Sequence, residues 1–248
     1  MKQKNWIQIE QKIKTQLETE LRSSRSRPIA AFDADGTLWN TDLGEAFFKY
    51  QINQHLLKNL PENPWDHYRK WKESGDPRPA YLWLAQINKG HKIAQVRQWA
   101  EEAVRTQSPL PIFEEQKSLI EFLQSKKVEI FIITASVSWA VEPGAQRLAI
   151  PIENVIGVHT KVKKNIITEE QDGLISYREG KLEALLQMTG GRKPFFACGN
   201  TMGDFALLDG AQLRLAVGAA QPGDELYTTE ERLRQEATSR GWMTHQFL

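Results

Sequence analysis

Short apolar runs set the limits on what this chain can fold into. Ile29-Ala30-Ala31-Phe32, Val128-Glu129-Ile130-Phe131-Ile132-Ile133, Pro194-Phe195-Phe196-Ala197-Cys198 and Leu213 to Val217 are each brief and closed by turn or polar residues. Strands covered on both faces read this way. Between and around them, residues 115–125, 137–148, 179–189 and 202–209 carry apolar side chains at helical spacing. Strands alternating with helices predict an α/β fold, a mainly parallel sheet with helices on both faces. Ahead of the first strand, Ile9, Ile13, Leu17 and Leu21 recur every four residues and predict an amphipathic helix that ends near the polar run 23–27.

One connection breaks the pattern. A turn from strand to helix takes about 2 to 6 residues, yet residues 42–110 separate the first strand from the helix before the second. That stretch carries its own apolar periodicity (Phe47, Phe48, Ile52; Trp65, Tyr68, Trp71; Leu82, Trp83, Leu84; Val96, Trp99) punctuated by Pro61, Pro64, Pro77, Pro79 and Gly90. It predicts an inserted helical subdomain over 42–110, leaving 1–41 and 111–248 as the core. Residues 155–177, rich in β-branched side chains and containing Asp172-Gly173, predict a strand-like or hairpin excursion.

Composition removes several classes of function. With 32 basic and 31 acidic residues, the net charge of +1 provides no broad basic field for a nucleic-acid backbone. No segment reaches the ~18 uninterrupted apolar residues of a membrane span. Neither nucleic acid nor membrane is an expected partner. The amino-terminal residues lack the apolar stretch of a cleaved signal, and Cys198 is the sole cysteine, so a reducing cytoplasm is the expected location.

The chemistry concentrates where the first run ends, in Phe32-Asp33-Ala34-Asp35-Gly36-Thr37-Leu38-Trp39. Ligands of open α/β sheets bind at the carboxyl ends of strands, and here that end places two carboxylates side by side. Their mutual repulsion calls for a cation or a shared proton. Other hydrolytic signatures are missing. No Gly-x-Ser-x-Gly elbow occurs, the glycine that a P-loop would need before Gly180-Lys181 is Ile175, and His55, His67, His91, His159 and His245 have no zinc-binding spacing.

In this pattern the sequence resembles the haloacid dehalogenase superfamily, mostly magnesium-dependent phosphatases on a Rossmann-like core. The first motif of that family matches Asp33 to Leu38. The second, a Thr or Ser closing an apolar strand, matches Thr134. The third, a lysine opening a helix, matches Gly180-Lys181-Leu182, and the fourth matches Gly199-Asn200-Thr201-Met202-Gly203-Asp204. All four stand in the family's order, and the insertion lies where many members carry a helical cap. Thr134 alone would read as a strand terminus and Lys181 alone as a solvated lysine; their order after Asp33 gives them weight.

The resemblance implies that Asp33 attacks phosphorus to form an aspartyl-phosphate while Asp35 protonates the leaving oxygen and then activates water. A carboxylate ~4 Å from one phosphate charge costs ~4 kcal/mol at an effective dielectric of 20, and about twice that against a dianion. Positive charge must therefore be supplied. Lys181 can give one unit and a divalent hard cation two, with Mg2+ the natural candidate. Thr134 has a hydroxyl able to donate to a phosphoryl oxygen, and Gly36 leaves room for backbone amides to approach it. The expected metal ligands are Asp33, Asp35, Asn200 and Asp204. Asn200 stands where the family usually has aspartate, which makes Asp204 the better acidic anchor; the bland alternative is that Asn200 and Asp204 merely cap the following helix.

For substrate selection the segment after Thr37 offers Trp39, Asp42 and Glu45. Asp42 is placed like the acidic residue that meets a substrate ammonium in the phosphoserine-phosphatase-like branch. Trp65, Trp71, Trp83 and Trp99 could face a quaternary ammonium, although tryptophans at helical spacing more often fill a small core. The expected partner is a small phosphorylated metabolite. Alternatives are a phosphotransferase or dehalogenase of the same superfamily, the latter disfavoured by Asp35, or a catalytically weak scaffold that binds phosphorylated ligands or a protein.

Overall fold

The computed structural model describes residues 2–23 and 26–247. Along the chain the elements are α1 (Lys2–Ser23), β1 (Ile29–Phe32), α2 (Leu43–Asn53), α3 (Pro64–Glu73), α4 (Arg78–Gln86), α5 (Ile93–Arg105), α6 (Glu114–Ser125), β2 (Glu129–Val137), α7 (Ser138–Arg147), β3 (Val155–Lys163), β4 (Ile166–Asp172), α8 (Glu179–Met188), β5 (Phe196–Gly199), α9 (Phe205–Asp209), β6 (Leu213–Gly218), α10 (Tyr227–Ser239) and β7 (Met243–Gln246). The chain forms two compact units. The first comprises Met1–Thr41, Ile112–Ile133 and Arg178–Leu248, and the second Asp42–Pro111 and Thr134–Tyr177.

In the first unit the strands run parallel in the order β2-β1-β5-β6-β7. This is the mainly parallel α/β arrangement that the alternation of runs predicts. Ile29 to Phe32 pair with Glu129 to Ile132 on one side, and Phe32 pairs with Cys198 on the other. All four residues of β1 and of β5 are buried, which explains runs that are apolar without alternation. Because the strands are parallel, their carboxyl ends share an edge. Asp33 leaves β1 and Asn200 leaves β5 at that edge, joined by the bond from Asp33 N to the Cys198 carbonyl at 2.9 Å.

Helix α1 buries Ile9, Ile13 and Leu17, whereas Leu21 is 47% exposed. Four residues advance a helix by about 40° beyond a full turn, so the fourth member of the series has rotated off the buried face. Within the polar run 23–27, Ser24 and Arg25 lie outside the described residues. The sequence patterns do not call α10 and β7. Among the described residues, no helix is long and apolar enough to cross a membrane.

The second unit packs α2, α4, α5 and α7 around Phe47, Phe48, Tyr68, Leu84, Val96, Ala100 and Trp139. Trp65, Trp71, Trp83 and Trp99 are partly buried against this core. Phe48 meets Trp83 edge-on at 5.5 Å, Trp71 lies 6.3 Å from Trp83, and the Lys49 ammonium stands 4.0 Å above Trp65. Arg97 of α5 forks onto Glu142 of α7 at 2.7 and 2.9 Å.

The division differs from the expected one in that residues 134–177 join the inserted helices. The reason is packing: α7 lies on α5 and α2, and α4 lies on β3 and β4. At Gly157 of β3 a Cβ would stand 2.8 Å from the Ser136 carbonyl and 2.9 Å from Ser138 Cα, so only glycine permits that approach. β3 and β4 form the antiparallel hairpin expected over 155–177, but the reversal is at Lys164 and Asn165, both at positive φ (51° and 65°), while Asp172-Gly173 ends the second strand.

Candidate active site

The loop after β1 is a tight turn. Thr37 N and Leu38 N both donate to the Ala34 carbonyl (3.1 and 2.8 Å), and Gly36 N donates to the Trp39 carbonyl (2.9 Å). Gly36 has φ +77°, and a Cβ there would collide with the Asn200 amide, so glycine is required twice over. Its own N–H is spent on Trp39. The absent Cβ lets the Asn200 amide approach the loop.

Asp33 is 6% exposed. Its Oδ1 accepts from Lys181 Nζ at 2.5 Å and its Oδ2 from the Thr37 hydroxyl at 3.1 Å. The same hydroxyl lies 3.2 Å from Asn200 Oδ1, so Asp33 Oδ2 and Asn200 Oδ1 converge on one proton. Burial, reinforced by the Asp204 carboxylate and opposed by Lys181, pushes the Asp33 carboxyl up from 3.8 to about 7.

Lys181, in the first turn of α8, is 3% exposed and bonds to both Asp33 and Asp204. A lysine there opposes the helix dipole and burial disfavours its charge, yet the two carboxylates outweigh burial and hold the ammonium well above its ordinary range. The alternative of a solvated lysine is thereby removed.

Asp204 is fully buried. Besides Lys181 it holds Asn200 N (3.1 Å), Thr201 N (2.9 Å) and the Thr201 hydroxyl (3.3 Å), all on Oδ2. Gly199 lets it lie so close, since a Cβ there would stand 2.5 Å from Asp204 Cβ. Both carboxylate oxygens are thus occupied by donors of the chain itself. Asp204 anchors Lys181 and locks the loop. Asn200 is 1% exposed, and its Nδ2 donates to Glu230 Oε1 at 2.9 Å. Thr37 and Glu230 have roles that the sequence reading did not assign. Glu230 sits on α10, an element with no clear apolar signal.

Asp35 is half-buried, and its Oδ1 accepts from Trp39 Nε1 at 2.8 Å. Trp39 is fully buried, so its indole N–H needs an internal partner. That bond fixes the orientation of the Asp35 carboxylate. The remaining predicted residues belong to the second unit. Thr134, 2% exposed on β2, accepts from Ser136 N at 3.0 Å through its hydroxyl, and its carbonyl accepts from the Ser176 hydroxyl at 2.5 Å. Asp42 caps α2 by accepting from Glu45 N at 2.7 Å. Glu45 pairs with Lys72 at 2.8 Å; burial alone would lower the Lys72 ammonium, but Glu45 holds it well above its ordinary range.

A cation would find hard oxygen donors here. Among the described residues no three side chains drawn from His, Cys, Asp and Glu stand close enough to form a metal site by themselves. Asp33 Oδ2 and the amide oxygen of Asn200 do face one point, since both lie within hydrogen-bond reach of the Thr37 hydroxyl. Such a set suits Mg2+, which is typically held by one or two carboxylates with water and phosphate oxygens completing the shell.

The family model for haloacid dehalogenase-like hydrolases matches residues 30–209. No curated protein matches the sequence. Among solved structures, a protein of unknown function from Bordetella pertussis Tohama I is similar with a TM-score of 0.71 at 19% identity, over 90% of this chain and 100% of its own. A functionally unknown protein from Anaerococcus prevotii DSM 20548 gives 0.67 at 17%, over 88% and 85%. A substrate-bound phosphoserine phosphatase gives 0.55 at 14%, over 90% and 94%. At these identities the likeness is one of fold.

Proposed function

Because the chain belongs to the haloacid dehalogenase-like hydrolases, we propose that it is a magnesium-dependent phosphomonoester hydrolase that acts on a small phosphorylated metabolite through Asp33. The observation that carries this reading is the Lys181 ammonium buried between the carboxylates of Asp33 and Asp204. An ammonium fixed on a nucleophilic carboxylate serves a reaction in which an anion must approach another anion.

In the proposed reaction a carboxylate oxygen of Asp33 bonds to phosphorus as the ester P–O bond breaks, and Asp35 gives its proton to the departing alkoxide. Asp35, now ionised, takes a proton from water. That water attacks phosphorus, the acyl-phosphate P–O bond breaks, and Asp33 is regenerated with inorganic phosphate. Trp39 holds Asp35 in one orientation through both steps, which preserves the alignment that proton transfer needs. Lys181 offsets charge on the phosphoryl oxygens and stays protonated throughout. Asp33 and Asn200 would hold the Mg2+ ion, which would supply Lewis-acid stabilisation of phosphoryl charge.

The test is hydrolysis of p-nitrophenyl phosphate with and without Mg2+, by the wild type and by Asp33→Asn. Turnover that requires both the metal and Asp33 is the expected result. Turnover that survives the substitution or excess chelator would overturn the reading.

A further inference from the structure

Resting on the hydrolase reading above, we propose that Glu230 is a positioning residue that decides which end of the Asn200 side chain faces Asp33. An asparagine amide can present oxygen or nitrogen, and only oxygen can ligate a cation. Glu230 is 6% exposed, and its partners are all neutral N–H groups: Asn200 Nδ2 at 2.9 Å on Oε1, and Ala219 N at 3.0 Å and Ala220 N at 2.9 Å on Oε2. An ionised carboxylate only accepts. It therefore draws the NH2 of Asn200 to itself and leaves Oδ1 toward Thr37 and Asp33. Its negative charge also polarises the amide, so that a neutral ligand gains some of the donor strength of a carboxylate.

The surroundings are shaped for this pair. Gly36 clears the space for the Asn200 amide, and a Cβ at Gly218 would come within 2.7 Å of Glu230 Oε2. An aspartate at position 200 would set two carboxylates against each other at the present 2.9 Å contact, which is a physical reason for the amide.

Substituting Glu230→Gln makes a specific demand. Three N–H donors then face one carbonyl oxygen. The two backbone donors cannot turn, so they keep that oxygen, and the glutamine NH2 meets Asn200. The Asn200 amide must flip, bringing its nitrogen toward Thr37 and Asp33. In the double variant Asn200→Asp/Glu230→Gln every donor again has an acceptor and an oxygen again faces Asp33.

Two measurements on the full chain test the proposal: Mg2+ affinity by titration calorimetry without substrate, and thermal unfolding in EDTA. E230Q should weaken Mg2+ binding by about 10-fold or more, the usual scale for a residue that orients a ligand, and N200D/E230Q should restore it to near wild type. In EDTA, N200D should unfold at lower temperature than the wild type and the double variant should recover most of the loss. Unchanged Mg2+ affinity in E230Q, or no recovery in the double variant, would overturn the proposal. If the wild type takes up no Mg2+, the hydrolase reading fails first and orientation is judged in EDTA alone, where coupling sustains it and additive effects overturn it.

Discussion

Asp33→Asn should abolish turnover and yet make the protein more stable at alkaline pH. Burial and Asp204 raise the Asp33 carboxyl from 3.8 to about 7, and that gap corresponds to about 4 kcal/mol charged to the ionised form in the folded state. Asparagine has nearly the shape of aspartate and cannot ionise, so it escapes this penalty. It also gives Lys181 a weaker acceptor, which returns roughly 1–3 kcal/mol. The net gain at pH 8 is on the order of 1–3 kcal/mol, or roughly 2–10 °C in unfolding temperature for a chain of this size. The sign with pH follows from linkage. The folded pKa exceeds the unfolded one, so the wild-type penalty is complete above about 7 and is relieved as the pH falls toward 3.8. The advantage of the variant should thus shrink by about 3 kcal/mol between pH 8 and pH 5. Circular dichroism melts of both proteins in EDTA at pH 5, 6, 7 and 8 provide the assay. A variant less stable than wild type at pH 8, or a difference that does not move with pH, would refute the reasoning.

Removing the ammonium should act in the opposite direction. Lys181→Met leaves Asp33 and Asp204 buried without their shared cation, so denaturant titration should show a loss of about 3–5 kcal/mol together with loss of turnover. Gly36→Ala puts a methyl into the Asn200 amide at φ +77°; a loss of about 2 kcal/mol or more is expected from the same titration, along with weaker Mg2+ binding in calorimetry. Cys198 is fully buried, and burial pushes its thiol up, so a chromogenic disulfide reagent should leave it intact in the native protein and react with it once urea is added.

Much of the first unit was legible because its strands are buried on both faces and so appear as plain apolar runs. β1, β2, β5 and β6 fall where those runs stand. β7 and α10 did not register for physical reasons. β7 is Met243-Thr244-His245-Gln246, short and polar at three of its four positions, and α10 buries only Glu230, Leu233 and Ala237 of its thirteen residues. Glu230 carries no sequence signal of its own because its helix shows so little apolar periodicity. The hairpin reverses at Lys164-Asn165, which reaches positive φ without glycine and so leaves little trace in the sequence, while Asp172-Gly173 closes a strand.

The site itself was legible as an order of motifs, and the parallel register explains why. Asp33 and Asn200, far apart in sequence, leave neighbouring strands at one edge. The task of each carboxylate was less legible. Asp204 serves as anchor for Lys181 and for its own loop because its oxygens lie within hydrogen-bond reach of four donors, and sequence spacing does not encode such distances. Trp39 likewise turns inward because its indole N–H has Asp35 to bond.

The central claim, that Asp33 becomes transiently phosphorylated, can be read at the residue itself. Borohydride reduces an acyl phosphate to an alcohol, so wild-type protein quenched during turnover of p-nitrophenyl phosphate with Mg2+ and then reduced should carry homoserine at position 33 in peptide mass spectra. The conversion should be missing when substrate is omitted. Phosphate release that proceeds while position 33 remains unmodified aspartate under every quench condition would contradict the account.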